Sequence, residues 1–260
     1  MDILSLLLLG VIAGTVAGLL GVGGGIVIVP MLVWIFGQFP EIPATSLMHI
    51  AIGTSLATIV ITSVSSIIAH QRHKAVQWSI VWRLTPGIII GAALGAIFAD
   101  MLPSDTLRIL FALFILFVSV QLSVSTQFAP LRQLPSDLAI GIMGIVIGSI
   151  SALVGIGGGS LTVPFLLACR VPIRNAIGTS AACGFPIAVS GTIGFIITGW
   201  EMTELPALTG YIYWPAVFAI VPTSLLFAQL GAKLAHIVPV NILKKIFAVF
   251  LAVVGLKMLL

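Results

Sequence analysis

Carboxylates are scarce in this chain: seven among 260 residues, and none of them inside a long apolar stretch. Asp2, Glu41, Asp100, Asp105, Asp137, Glu201 and Glu204 all fall at ends or in loops. A proton relay needs an ionisable group within the membrane, where such groups are expensive and placed for function. Their absence argues against cation pumping. No acid pair, His cluster or nucleophile with a base falls within the apolar segments either, which argues against an enzyme. Cysteine is equally sparse. Cys169 and Cys183 lie in or beside apolar segments and read as small packed hydrophobes, not as a disulfide or a metal site. No metal or cofactor is expected.

Charge of either sign makes up only 7% of the residues, against about 25% in a soluble domain. The net charge of +4 does not indicate nucleic acid, because the basic residues sit in loops between apolar runs. No Lys or Arg precedes the first run and no small-residue cleavage site follows it, so it reads as a span and not as a signal peptide.

What the chain does have is hydrophobicity: 60% of its residues, with a mean hydropathy of +1.27. Apolar segments near 3–20, 46–69, 79–99, 105–124, 138–154, 174–198, 208–231 and 240–260 alternate with short polar loops. Most approach the roughly 20 residues that cross a bilayer as a helix. A β-barrel would show short alternating segments instead. The expectation is an all-α, polytopic helical membrane protein whose partners are the lipid bilayer and a small solute; the oligomeric state is not legible.

The segments repeat. Residues 10–32, GVIAGTVAGLLGVGGGIVIVPML, recur 134 positions later as GIVIGSISALVGIGGGSLTVPFL. Each copy breaks an apolar run with three glycines, Gly23, Gly24 and Gly25 in one and Gly157, Gly158 and Gly159 in the other. Pro30 or Pro164 follows and is expected to shape the broken helix. A second string, Ala51-Ile52-Gly53-Thr54-Ser55, returns as Ala176-Ile177-Gly178-Thr179-Ser180. Pro86 pairs with Pro215, and Pro103 with Pro239. The repeats take residues 1–126 and 138–260, joined by a polar linker at 127–137.

Each repeat holds about five hydrophobic segments, and an odd number places the two halves in opposite orientations. With the amino terminus outside, nine of the eleven basic residues fall on the cytoplasmic face, as the positive-inside bias requires. Only Arg108 and Lys257 are misplaced. The expectation is therefore a pair of inverted repeats. The segments 25–37 and 159–169 rise only about 20 and 16 Å, short of the roughly 30 Å hydrocarbon core. They read as re-entrant half-helices.

Three glycines in succession make poor helix, at roughly 1 kcal/mol each relative to Ala. They free backbone N–H groups at the positive end of the half-helix that follows. Such groups are tolerated at membrane depth only inside protein or along a wet cavity, and an anion satisfies them well. Broken helices repeated once per half are the sequence pointer to a secondary transporter's binding site. The alternative is that the glycines only allow close helix contact, which is the reading for Gly10/Gly14 and Gly144/Gly148.

Thr54, Ser55, Thr179 and Ser180 offer hydroxyls that could donate to an oxyanion or to their own helix carbonyls. His49 and Arg174, one turn before the repeated strings, are candidates for coupling or gating. An anion leaving a cell gains about 2.3 kcal/mol per charge per 100 mV, so export needs no buried carboxylate.

The duplicated G-x-G-G-G followed by proline, with its A-I-G-T-S partner, resembles the sulfite exporter TauE/SafE family. That resemblance covers nearly the whole chain. It implies an inner-membrane protein of two related halves that carries small sulfur-containing or carboxylate anions such as sulfite or sulfoacetate. The expected function is secondary transport, export in particular, of sulfite or an organosulfonate by alternating access. A passive anion or water channel with paired re-entrant helices is the alternative.

Overall fold

A computed structural model describes residues 3–20, 24–123, 135–204, 207–234 and 240–259. The described residues form helices α1 (Ile3–Leu20), α2 (Gly25–Phe36), α3 (Leu47–Arg72), α4 (Trp78–Asp100), α5 (Ser104–Ser123), α6 (Asp137–Val154), α7 (Gly159–Ala168), α8 (Ile173–Thr198), α9 (Trp214–Leu234) and α10 (Val240–Leu259). The chain is an all-α polytopic membrane protein. Among the described residues five helices, α3, α4, α5, α6 and α8, are long and apolar enough to span a bilayer. Their outward faces carry exposed Trp82, Ile90, Phe98, Leu113, Phe117 and Ile197. Apolar side chains outside as well as inside are what a hydrocarbon solvent allows, and helices satisfy every backbone group within themselves.

The segment near 208–231 is not helical from its start. Two-residue strands β1 (Leu208–Thr209) and β2 (Ile212–Tyr213) pair antiparallel, with Gly210 at φ +57° turning the chain between them. Pro215 then occupies the second position of α9, where a fixed φ and a missing N–H suit a helix start. This corrects the pairing of Pro86 with Pro215. Pro86 is the ninth residue of α4, and its counterpart at the ninth residue of α9 is Pro222.

The packing is reciprocal. Between the halves α1 packs on α9 as α6 packs on α4, and α3 meets α8 along its length; within them α2 packs on α3 as α7 does on α8. α3 and α8 run antiparallel. Arg174 and Asn175 donate to the carbonyls of His73 and Ala75 at one end, while Gly53 approaches Phe195 at the other. The threonines of the second repeated string staple the halves together. Thr54 Oγ1 accepts from the Tyr213 N–H before α9, and Thr179 Oγ1 from the Gln77 N–H before α4, both at 3.0 Å.

Glycine permits the closest of these contacts. A Cβ on Gly91 would run into the Ile145 carbonyl, and one on Gly14 into the backbone of Ser224. Gly10, Gly14, Gly144 and Gly148 thus serve close helix approach, as expected. Gly91→Val is expected to lower the thermal midpoint of the detergent-solubilised protein, at an overpacking cost of about 1–3 kcal/mol. An unchanged midpoint would mean that α4 and α6 do not approach this closely.

Candidate functional site

α2 and α7 hold 12 and 10 residues, so at about 1.5 Å per residue each spans only about half of a bilayer core. Both begin at the glycines. Pro30 and Pro164 do not break them: each is the sixth residue of a helix that continues through it. A proline there removes one intrahelical bond without ending the helix, so the breaks belong to the glycines alone.

The second bend is fully described. Gly155 closes α6 in the left-handed conformation at φ +74°, and the Ile156 N–H returns to the Ser151 carbonyl at 2.9 Å. Gly158, also left-handed at φ +76°, opens α7. A side chain in that region is strained by roughly 1–2 kcal/mol, which fixes glycine at both positions. The Leu161 and Thr162 N–H groups both donate to the Gly158 carbonyl, at 3.1 and 2.8 Å. The N–H groups of Gly159 and Ser160 are left outside the helix ladder at its positive end. The first bend starts its helix in the same way, with Val27 and Ile28 both donating to the Gly24 carbonyl at 3.0 Å. Gly23 lies outside the described residues. Gly24 takes a right-handed helical conformation.

The two bends touch. A Cβ on Gly25 would stand 2.5 Å from the Gly155 carbonyl oxygen and 3.0 Å from Ile156 Cα. Ser55 reaches across from α3 to donate to the same Gly155 carbonyl at 2.9 Å. Gly184 on α8 is required from the other side, where a Cβ would meet the Gly157 carbonyl at 2.7 Å. The space between the bends is closed in this conformation. Ile59 of α3 lies against both, its methyls 3.0 Å from the Cβ position of Gly25 and 3.1 Å from that of Gly157. Apolar grooves of about 650 and 830 Å³ lie elsewhere, between α4, α5 and α6 and between α4 and α8. Both are lined by lipid-facing side chains such as Phe98 and Trp82.

Three buried hydroxyls surround the second bend: Ser151 at the end of α6, and Ser160 and Thr162 in the first turn of α7. None has a hydrogen-bond partner. A Cβ on Gly158 would lie 3.3 Å from Thr162 Oγ1 and 3.7 Å from Ser151 Oγ, so these two converge on one point. Neither residue was singled out by sequence reasoning. The signal was available, since the other copy has Ala17 and Ile28 at these places.

The remaining sequence candidates are dispersed. Thr54, Ser55 and Thr179 are fully buried and donate neither to their own helix nor into open space; they join the halves as described. Ser180 is buried without a partner. His49 sits ten residues before Ile59, about 15 Å along the helix. Its Nε2 lies 3.0 Å from the Ala99 carbonyl, and its ring stacks on Tyr211, with centroids 5.0 Å apart. The Tyr211 hydroxyl donates to Asp100 at 2.8 Å. Burial, with help from that bond, pushes the Tyr211 phenol well above its ordinary value, so it remains a donor. Arg174 lies at the opposite end of α8, exposed, with its guanidinium on the His73 carbonyl. Among the described residues no three His, Cys, Asp or Glu side chains converge as metal ligands would.

Residues 6–258 match the family described as sulfite exporter TauE/SafE. A probable membrane transporter protein of Haemophilus influenzae is 40% identical, over 99% of this chain and 98% of its own length. The probable membrane transporter protein YunE of Bacillus subtilis is 27% identical, over 100% of this chain and 98% of its own length. A probable membrane transporter protein of Xylella fastidiosa is 31% identical over 73% of this chain and 70% of its own length. No solved structure matches.

Proposed function

Because this chain belongs to the sulfite exporter TauE/SafE family, a family of membrane transporters, we propose that it exports a small anion such as sulfite or an organosulfonate by alternating access. The observation that carries this reading is the meeting of two glycine bends, each opening a half-helix, with unpartnered hydroxyls at one of them. Nothing apolar needs those hydroxyls or those free N–H groups, whereas an oxyanion takes both.

Two inverted repeats, 1–126 and 138–260 across the linker at 127–137, account for the reciprocal contacts and for the antiparallel run of α3 against α8. The amino terminus then lies outside and the basic end, with Arg72, Arg83 and Arg174, faces the cytoplasm of an inner membrane. In this scheme Thr54 and Thr179 hold the halves in register, and Gly23–Gly25 and Gly157–Gly159 shape the site. His49 and Arg174 stand at the outer and inner gates. Ser55 fixes one bend through its carbonyl and is a positioning residue.

Transport is tested by reconstituting the full chain in liposomes and following radiolabelled sulfite and small sulfonates. Flux above protein-free vesicles, saturable and accelerated by unlabelled anion on the far side, is expected. Flux without counterflow would identify a channel, and no flux with any sulfur anion would refute the proposal.

A further inference from the structure

The two bends share a backbone plan but not a chemistry. Ser151, Ser160 and Thr162 stand where the first copy has Ala17, Ile26 and Ile28. Ser160 is 7% exposed and the other two less, yet all three hydroxyls lack a partner. Other hydroxyls donate within their own helix, as Thr58 does to the Thr54 carbonyl and Thr85 to that of Val81, both at 2.8 Å, or across to another, as Ser149 does to the Gly91 carbonyl; Ser180, Thr192 and Thr198 on α8 are partnerless too but do not gather at a helix start. Leaving a buried hydroxyl unmade is costly, so the two that converge beside Gly158, Ser151 and Thr162, mark the place of a polar group that completes them. The described residues of the first bend have nothing comparable. Ile26 and Ile28 present only hydrocarbon there and are fully buried.

Charge narrows the ligand further. Among the described residues no Lys, Arg, Asp or Glu is buried. The donors available are neutral hydroxyls, two N–H groups and a helix end equivalent to roughly half a positive charge. The penalty for desolvating an ion grows as the square of its charge, so a dianion faces about four times the monoanion's. The interactions offered by neutral donors grow only in proportion to charge.

We infer that the second bend alone seats the anion, through the hydroxyls of Ser151 and Thr162 and the Ser160 N–H beside Gly158, and that it accepts singly charged oxyanions and rejects dianions. The inference deepens the transport reading and rests on it. The full chain in liposomes is assayed with methanesulfonate, a permanent monoanion, and with sulfate, a dianion of similar size. Methanesulfonate is expected to be carried and to compete with sulfite, and sulfate to do neither. Thr162→Val and Ser151→Ala are expected to raise KM about ten- to hundredfold with a smaller change in maximal rate. Thr162→Ser should restore it, and Thr58→Val, which removes a hydroxyl donating within its own helix, should match the wild type. Equal transport of sulfate and methanesulfonate, or an unchanged KM in both hydroxyl variants, would overturn the inference while leaving transport intact. Absence of flux in the wild type would instead remove the transport reading beneath it.

Discussion

Gly158→Val is expected to abolish sulfite flux in liposomes while the protein still inserts and elutes as a single species in detergent. Three effects coincide at this residue. Its φ of +76° is closed to a β-branched side chain. A Cβ would collide with the Ile187 methyl, and it would crowd Thr162 Oγ1 at 3.3 Å, filling the point on which the free hydroxyls converge. Gly25→Ala should follow closely, because its Cβ would press on the Gly155 carbonyl and force the bends apart. Gly24→Ala is the informative neighbour. Gly24 has right-handed helical geometry, and its nearest obstacle is the flexible end of Ile28 at 3.2 Å. A far smaller loss is expected there. Equal loss at Gly24 and Gly25 would mean that the glycines matter for helix flexibility and not for the contact between bends. Flux rates normalised to reconstituted protein decide between these outcomes.

The second large effect concerns driving force. No carboxylate or other charged residue is buried among the described residues; the proposed monoanion, carried without a coupled cation, would cross with its charge. About 100 mV, inside negative, is then worth about 2.3 kcal/mol. At about 1.4 kcal/mol per factor of ten, the anion should settle at a concentration about 40-fold lower inside than outside. A potassium gradient with valinomycin imposes the potential, and labelled sulfite remaining in the vesicles reports the ratio. A ratio near one under the same potential would show electroneutral movement, and would direct attention to His49 as the group that carries a proton.

The breaks, the half-helices and the glycine contacts were legible because glycine leaves few alternatives. Three in a row within an apolar run cannot be ordinary helix, and Gly10, Gly14, Gly144 and Gly148 fall at the spacing that close helix approach requires. Pro30 and Pro164 misled, because each costs its helix one backbone bond yet the helix continues through it. From the sequence alone Pro215 reads as the counterpart of Pro86. Only the hairpin at Leu208–Tyr213 shows that Pro215 starts a helix and that Pro222 is the true counterpart. The hydroxyls were hardest to read. Threonine and serine in apolar helices commonly bond their own carbonyls, and Thr58, Thr62 and Thr85 do so. Nothing in a single string separates these from Thr54, which joins the halves, or from Thr162, which bonds nothing. Comparing the two copies position by position carries that information, because Ser151, Ser160 and Thr162 break the symmetry that the glycines keep.

The central claim, that the meeting point of the two bends holds the passenger, is open to direct observation. A structure of the full chain determined with selenite, the heavier analogue of sulfite, locates the anion by its anomalous signal. The account predicts a single peak within hydrogen-bond distance of Ser151, Thr162 and the Ser160 N–H, with the Ile187 methyl displaced from beside Gly158 and Ile59 from the space between Gly25 and Gly157. A peak confined to the basic end near Arg174, with Ile59 still wedged between the bends, would contradict it.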